Sequence, residues 1–261
     1  MPKPLPGLAT ADDALTGGRA SDVASQAARA LTGLREMVLR GEFARGERLS
    51  ELPLVARLGM SRTPIRLALE RLAHVGLLRA NASGGFIVRE FTLSEVRDAI
   101  EVRGVLEGTA ARLAAERRGS RSELEPLRRY CRSMDGIDCL TGDLFAHYMD
   151  ANESFHATVL TLAKSAMLRR MLEQVQSLPF ASPSAMVFPT SVLPKSDETL
   201  AIAQEHHRAI VEAIEKGHGT RAEALAREHA LLARRVLDVA LGDQEALRWV
   251  PGGGLINLSM Q

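Results

Sequence analysis

Between Glu51 and Val88 the apolar positions fall into two short helical runs and a hairpin: ELPLVARLGMSRTPIRLALERLAHVGLLRANASGGFIV. Leu52, Val55, Ala56 and Leu58 give one face of a short helix. Gly59 can take the left-handed conformation that ends it. Ser61 or Thr63 can cap a second helix, with Pro64 in its first turn, where a missing N–H is harmless. Ile65, Leu69, Leu72 and Ala73 then recur at helical spacing, and Gly76 closes that run. Leu77 to Ala80 and Phe86 to Arg89 are strand candidates around Asn-Ala-Ser-Gly-Gly, whose residues suit a tight turn. The pattern is that of a winged helix-turn-helix.

The same pass over the rest of the chain gives helices near 94–118, 121–135, 141–163, 165–178, 197–216 and 220–241. Thr92 or Ser94 can cap the first, and glycines at 119, 136, 142, 217 and 219 punctuate the series. Phe180 to Ser196 is rich in Pro and Ser and has no helical period. The expected organisation is a flexible tail over 1–24, a DNA-binding domain over 25–91, a helical domain over 92–241 and a tail over 242–261. The first domain opens with a helix from about Ser25 to Gly41. The fold class is therefore mainly α: a winged helix-turn-helix followed by an all-α antiparallel bundle of six or seven helices.

Charge sharpens this picture. Residues 31–92 hold ten Arg against six Glu, a net of +4, while residues 93–241 hold 19 basic against 21 acidic side chains, a net of −2. The overall +1 thus hides a basic head on a slightly acidic body, as expected of a module that meets phosphates. Ser61, Arg62, Thr63 and Arg66 lie in the first turns of the second helix, the part of this motif that reaches base edges. Arginine suits bidentate contact with guanine, and hydroxyls suit phosphates or bases. Read alone, those residues could equally be an ordinary cap and a solvated face. The wing and the charge balance favour double-stranded DNA. No apolar run is long enough for a membrane span, and the N-terminus is unlike a signal peptide. Cys131 and Cys139 are expected to be unpaired thiols in a reducing cytoplasm.

The stretch from Leu31 to Val88 resembles the GntR superfamily of bacterial transcription regulators, through "LREMVLRGEFARGERLSE", "LGMSRTPIRLALERLAHVGLL" and the glycine wing. The resemblance implies that Ser61, Arg62, Thr63 and Arg66 contact operator DNA and that Gly85 lies at the wing tip near the minor groove. Leu67 stands where many members have Glu, and Pro53 falls early in the helix before the turn.

Polar residues on apolar stripes are the second clue. Asn152 and His156 share a helix face with Val159 and Ala163. His207 lies with Ala203, Ile210 and Ile214, and His229 with Ala222, Leu225, Leu232 and Val236. His207 and His229 are each eleven residues from His218, the middle of a turn, so in an antiparallel pair they meet at one level. Three imidazoles and an oxygen ligand suit Zn, Ni or a similar divalent ion. His206 should turn away, and Asp150 should point off the face of Asn152. Arg103 and Glu107 lie on the stripe Val96, Ile100, Leu106, Ala110, Leu113. They form either a structural pair or, through the Arg103 fork, a carboxylate site.

Residues 94–240 resemble the FCD ligand-binding domain of the FadR-like branch of the superfamily, through "EVRGVLEGTAARLAAER", "NESFHATVL", "EHHRAIVEAI" and "REHALLARRV". The resemblance implies a metal held by Asn152, His156, His207 and His229, a small carboxylate effector at Arg103, and a homodimeric regulator, usually a repressor. Metal-binding members carry Asp where this chain has Asn152, which bears on the strength and identity of the metal. A metal-free regulator that binds an organic or acyl-thioester ligand directly is the alternative. A metal-dependent hydrolase is more remote, because there is no H-E-x-x-H and no obvious general base, so a non-enzymatic protein is expected.

Overall fold

The computed structural model describes residues 11–193 and 196–258. The chain divides into two units, Met1–Arg89 and Glu90–Gln261.

The first unit contains α1 (Ala11–Leu39), β1 (Arg48–Leu49), α2 (Glu51–Leu58), α3 (Arg62–His74), β2 (Leu78–Ala80) and β3 (Phe86–Val88). The three strands form an antiparallel sheet in the order β1-β3-β2, with Leu78 opposite Val88 and Arg48 opposite Ile87. The core lies between α1 and α3, through Leu34, Val38, Ile65, Leu69 and Leu72. Gly59, at φ 62°, ends α2 as expected. The buried face of α2 is a correction, because Leu54 turns inward while Leu52 and Ala56 are exposed. Leu54 and Leu58 are four apart and so share the inner side, and Leu52 lies well round the helix from them. α1 also begins well before Ser25, running through 11–24 where a tail is expected. Its alanines favour helix, and Gly17–Gly18 only weaken that preference.

The second unit contains β4 (Phe91–Thr92), α4 (Leu93–Glu116), α5 (Arg121–Met134), α6 (Gly142–Leu162), α7 (Ala166–Gln176), a 3-10 turn (Pro179–Ala181), α8 (Ser196–Lys216), α9 (Gly219–Ala240), α10 (Gln244–Trp249), a second 3-10 turn (Gly253–Leu255) and β5 (Ile256–Asn257). Thr92 caps α4 in a capping box with Glu95. Residues 242–258 are not the tail expected. Asp243 caps α10, and β5 pairs in parallel with β4, Phe91 opposite Ile256. Val250, Leu255 and Ile256 are buried, and that burial holds the segment down.

Two contacts set the frame of this unit. α4 and α9 pack at close range through glycine. A Cβ on Gly104 would lie 3.1 Å from Ala230 Cβ, and one on Gly108 would lie 2.6 Å from Arg227 Cγ and 2.9 Å from Glu223 O. α8 and α9 form a hairpin closed by Gly217, at φ 72°. Arg103 and Glu107 on α4, His156 on α6, His207 on α8 and His229 on α9 are thereby drawn into one interior.

Candidate functional site

In the first unit, Ser61 is the N-cap residue of α3, in extended backbone, but its side chain makes no capping hydrogen bond. Ser61, Arg62 and Thr63 are all exposed there, so two hydroxyls and a guanidinium stand together at the start of the helix. Arg66 is exposed one turn on, and its Nε donates to Glu70 Oε1 at 3.0 Å. Both partners lie in solvent, so the pair is weak and exchangeable. Gly85 has a backbone role: φ is 78°, and a Cβ would lie 2.8 Å from Leu49 O. Sequence reading missed Arg48, whose Nη2 donates to Ser83 O at 3.2 Å and Gly84 O at 2.9 Å and so ties down the wing turn. Only its charge was visible, because the pairing of a two-residue strand leaves no period.

In the second unit, the three expected histidines converge. His229 Nε2 lies 3.2 Å from His207 Nε2 and 3.3 Å from His156 Nε2. One donor atom from each can be chosen so that all lie within 4.8 Å. Zn–N bonds of about 2.0–2.1 Å in a tetrahedron place donors about 3.3–3.4 Å apart, so these separations match a metal edge. Without an ion, a neutral imidazole has one N–H to share, and His229 Nε2 faces two neighbours with one hydrogen or one lone pair. The donor set therefore fits a divalent ion. Burial holds His207 and His229 well below the usual imidazole range and His156 down at about 3, with Arg103 adding to the effect on His156. All three are thus neutral at pH 7, with a lone pair available.

Glu107 borders the cluster. Its Oε2 lies 3.7 Å from His156 Nδ1, and its Oε1 lies 3.9 Å from Arg103 Nε and 3.5 Å from Gln176 Nε2. With His156 neutral, the first contact is a carboxyl facing an imidazole rather than an ion pair. At 3.7 Å it is a contact rather than a hydrogen bond, and Glu107 Oε2 has no hydrogen-bond partner among the described residues. Burial pushes the Glu107 carboxyl up, with Arg103 and Gln176 pulling against it. Nδ1 of His207 and of His229 is buried without a hydrogen-bond partner among the described residues.

A cavity of about 70 Å³ opens beside the cluster, lined by Arg103, Asn152, His156 and His229 among apolar neighbours such as Met186 and Phe188. One water needs roughly 10–15 Å³ on this measure, so there is room for several waters or a small metabolite. Asn152 donates from Nδ2 to Ser184 Oγ at 3.0 Å. Arg103 donates to Ser182 O at 2.5 Å and Ala230 O at 3.2 Å, so its guanidinium is braced by backbone as well as facing the cavity. Asp150 is exposed, off the face of Asn152. His206 stays out of the donor set, though its ring meets that of His229 edge-on at 6.0 Å. Sequence reading missed Ser182 and Ser184, because their stretch carries no periodicity. Cys131 is buried and Cys139 partly so, both as free thiols.

A winged helix-turn-helix and a helical domain with a largely apolar cavity that holds a few polar groups, in one chain, define the class of two-module DNA-binding regulators. The comparisons agree. Residues 26–88 match the model of the "Bacterial regulatory proteins, gntR family", and residues 98–232 match that of the FCD domain. A protein of Paenarthrobacter nicotinovorans described as "Probable D-xylose utilization operon transcriptional repressor" is 30% identical over 74% of this chain and 80% of its own length. LutR, an HTH-type transcriptional regulator of Bacillus subtilis, is 26% identical over 77% of this chain and 96% of its own. The structure of McbR/YncC from E. coli superposes with a TM-score of 0.59 at 20% identity, covering 83% of this chain and 98% of that one, a likeness of fold. The chain belongs to the GntR family of transcription regulators and carries an FCD domain at its C-terminal end. No helix among the described residues is long and apolar enough to cross a membrane.

Proposed function

We propose that this regulator is an effector-responsive repressor, acting as a homodimer on operator DNA in the cytoplasm, whose FCD domain takes a small carboxylate at a divalent ion. The observation that carries the reading is the convergence of three neutral Nε2 atoms, 3.2 and 3.3 Å apart in sequence of contact, at the edge of a cavity that Arg103 also lines. His156, His207 and His229 would hold the ion, with Asn152 as the oxygen donor. A bound Zn or Ni would supply a Lewis acid that anchors a carboxylate. Arg103 would take the other side of that carboxylate, and the apolar wall would exclude water and strengthen both contacts.

At the DNA end, Arg62, Thr63 and Ser61 would meet the major groove and Arg66 would exchange Glu70 for a base or phosphate. Gly85 and Arg48 would shape the wing. Repression is read from the relative described as a repressor, and the homodimer from the two-fold logic of helix-turn-helix operators. The test is metal content per chain, measured by elemental mass spectrometry on protein purified without chelator. About one Zn or Ni per chain, lost in His207→Ala/His229→Ala, is the expected result. No metal after loading and desalting would leave the cavity to an organic ligand bound directly by Arg103 and the histidines. The Nδ1 atoms of His207 and His229, without a hydrogen-bond partner among the described residues, favour that second reading.

A further inference from the structure

Asn152 is buried to 2% exposure and Ser184 to 3%, and the two are joined by the Nδ2 to Oγ hydrogen bond of 3.0 Å. Because the amide nitrogen is committed to Ser184, the carbonyl oxygen is the atom left over. Oδ1 has no hydrogen-bond partner among the described residues, and Asn152 lines the cavity with His156 and His229. Ser184 thus acts as a latch on the amide nitrogen and leaves the acceptor free on a residue that lines the same cavity as His156 and His229.

The donor set so made carries no charge: three imidazoles and one amide oxygen. The one buried carboxyl among the described residues, Glu107, has its Oε1 3.9 Å from Arg103 Nε and offsets that guanidinium. A divalent ion held here would keep its charge of about +2 unneutralised, in an interior walled by apolar side chains, where an unpaired charge is costly.

We propose that Asn152, oriented by Ser184, makes cation and anion binding interdependent at this site, so that a small carboxylate and the divalent ion enter as a coupled pair. The inference rests on the metal reading above. Asn152 sets the coupling by withholding a negative charge, and the carboxylate supplies it. By linkage, each partner raises the affinity for the other by the same factor. The responsive species is then the carboxylate together with the ion, and neither alone saturates the site at low concentration.

The test titrates the full chain with Co²⁺, whose visible bands report its coordination, with and without acetate at matched ionic strength. For the unaltered chain, saturating acetate should tighten Co²⁺ binding by about tenfold or more and alter the bands. Asn152→Asp should tighten Co²⁺ binding without acetate by about tenfold and shrink the acetate effect below about threefold. Ser184→Ala should weaken Co²⁺ binding and leave the acetate ratio intact, because charge is unchanged. Co²⁺ binding that ignores acetate would overturn the coupling and leave the metal site standing. Co²⁺ affinity unmoved by Asn152→Asp would remove Asn152 as its cause, and affinity unmoved by Ser184→Ala would remove Ser184 as its latch. If the unaltered chain binds no Co²⁺, or His207→Ala binds it equally well, the metal reading falls and the coupling with it.

Discussion

His229 is the residue on which the interior site turns, since its Nε2 meets both other histidines. Its burial has a consequence for acid stability. A histidine has an unfolded value of about 6.5, and the folded values of His156, His207 and His229 are all lower. The unfolded chain therefore binds more protons at acid pH. The stabilisation is whole above about pH 6.5 and is lost as pH falls through the window toward about 3, where His156 finally titrates. Glu107 opposes this by at most one proton, because its carboxyl is pushed up. The lowered carboxyls of Glu123, Glu125 and Glu212 titrate below the ordinary carboxylate range and leave the window above 4.5 to the histidines. Metal-free protein should thus lose more than about 1.4 kcal/mol of unfolding free energy per pH unit between about pH 6 and 5. Urea titrations across that range check it, and a flat profile would mean that the imidazoles are not buried neutral. At the DNA end, Arg62→Ala should weaken specific operator binding by about 1–3 kcal/mol and relax sequence preference. Gel-shift titration with operator and scrambled duplexes reads both, and unchanged affinity would remove Arg62 from the interface.

At the scale of elements, the packing of α4 on α9 carries the site. Gly108 has no room for a methyl group, because one of its contacts, Glu223 O at 2.9 Å, is backbone and cannot swing away. Gly108→Ala should push the two helices apart and cost about 1–3 kcal/mol. Because Arg103 and Glu107 ride on α4 and His229 on α9, metal affinity should fall with it. Thermal melts and Co²⁺ titration measure the two effects, and a stable variant with full affinity would show that the helices do not need this spacing. The helices themselves were legible: the expected 121–135 and 141–163 are found as Arg121–Met134 and Gly142–Leu162. The meeting of His207 and His229 followed from their equal distance to His218, because a hairpin converts sequence symmetry into spatial level. β5 and α10 were not legible. Their order comes from burial of Val250, Leu255 and Ile256, which a short apolar string after a glycine run does not announce. Ser182 and Ser184 were hidden for a related reason: an irregular connection offers no face on which to place a side chain.

Across the whole molecule, the proposed function divides recognition from sensing between the two units, and that division can be tested directly. His207→Ala/His229→Ala removes two donors in Glu90–Gln261 and leaves the sequence of Met1–Arg89 unchanged. If the units carry separate functions, the double variant should bind operator DNA within about threefold of the unaltered chain. It should also fail to respond to effector. A ligand shifts an equilibrium only by its differential affinity for two states. Deleting the site therefore silences the response without fixing which state the chain rests in. The measurement is operator affinity by fluorescence anisotropy, with and without divalent ion and carboxylate, for both proteins. Retained DNA binding with a lost response places the sensor at the histidines. A retained response would move the effector away from the cluster, leaving Arg103→Ala as the next variant to test. Loss of DNA binding, with the melting transition intact, would mean that the histidine cluster shapes the DNA-binding form itself and would overturn the division of labour.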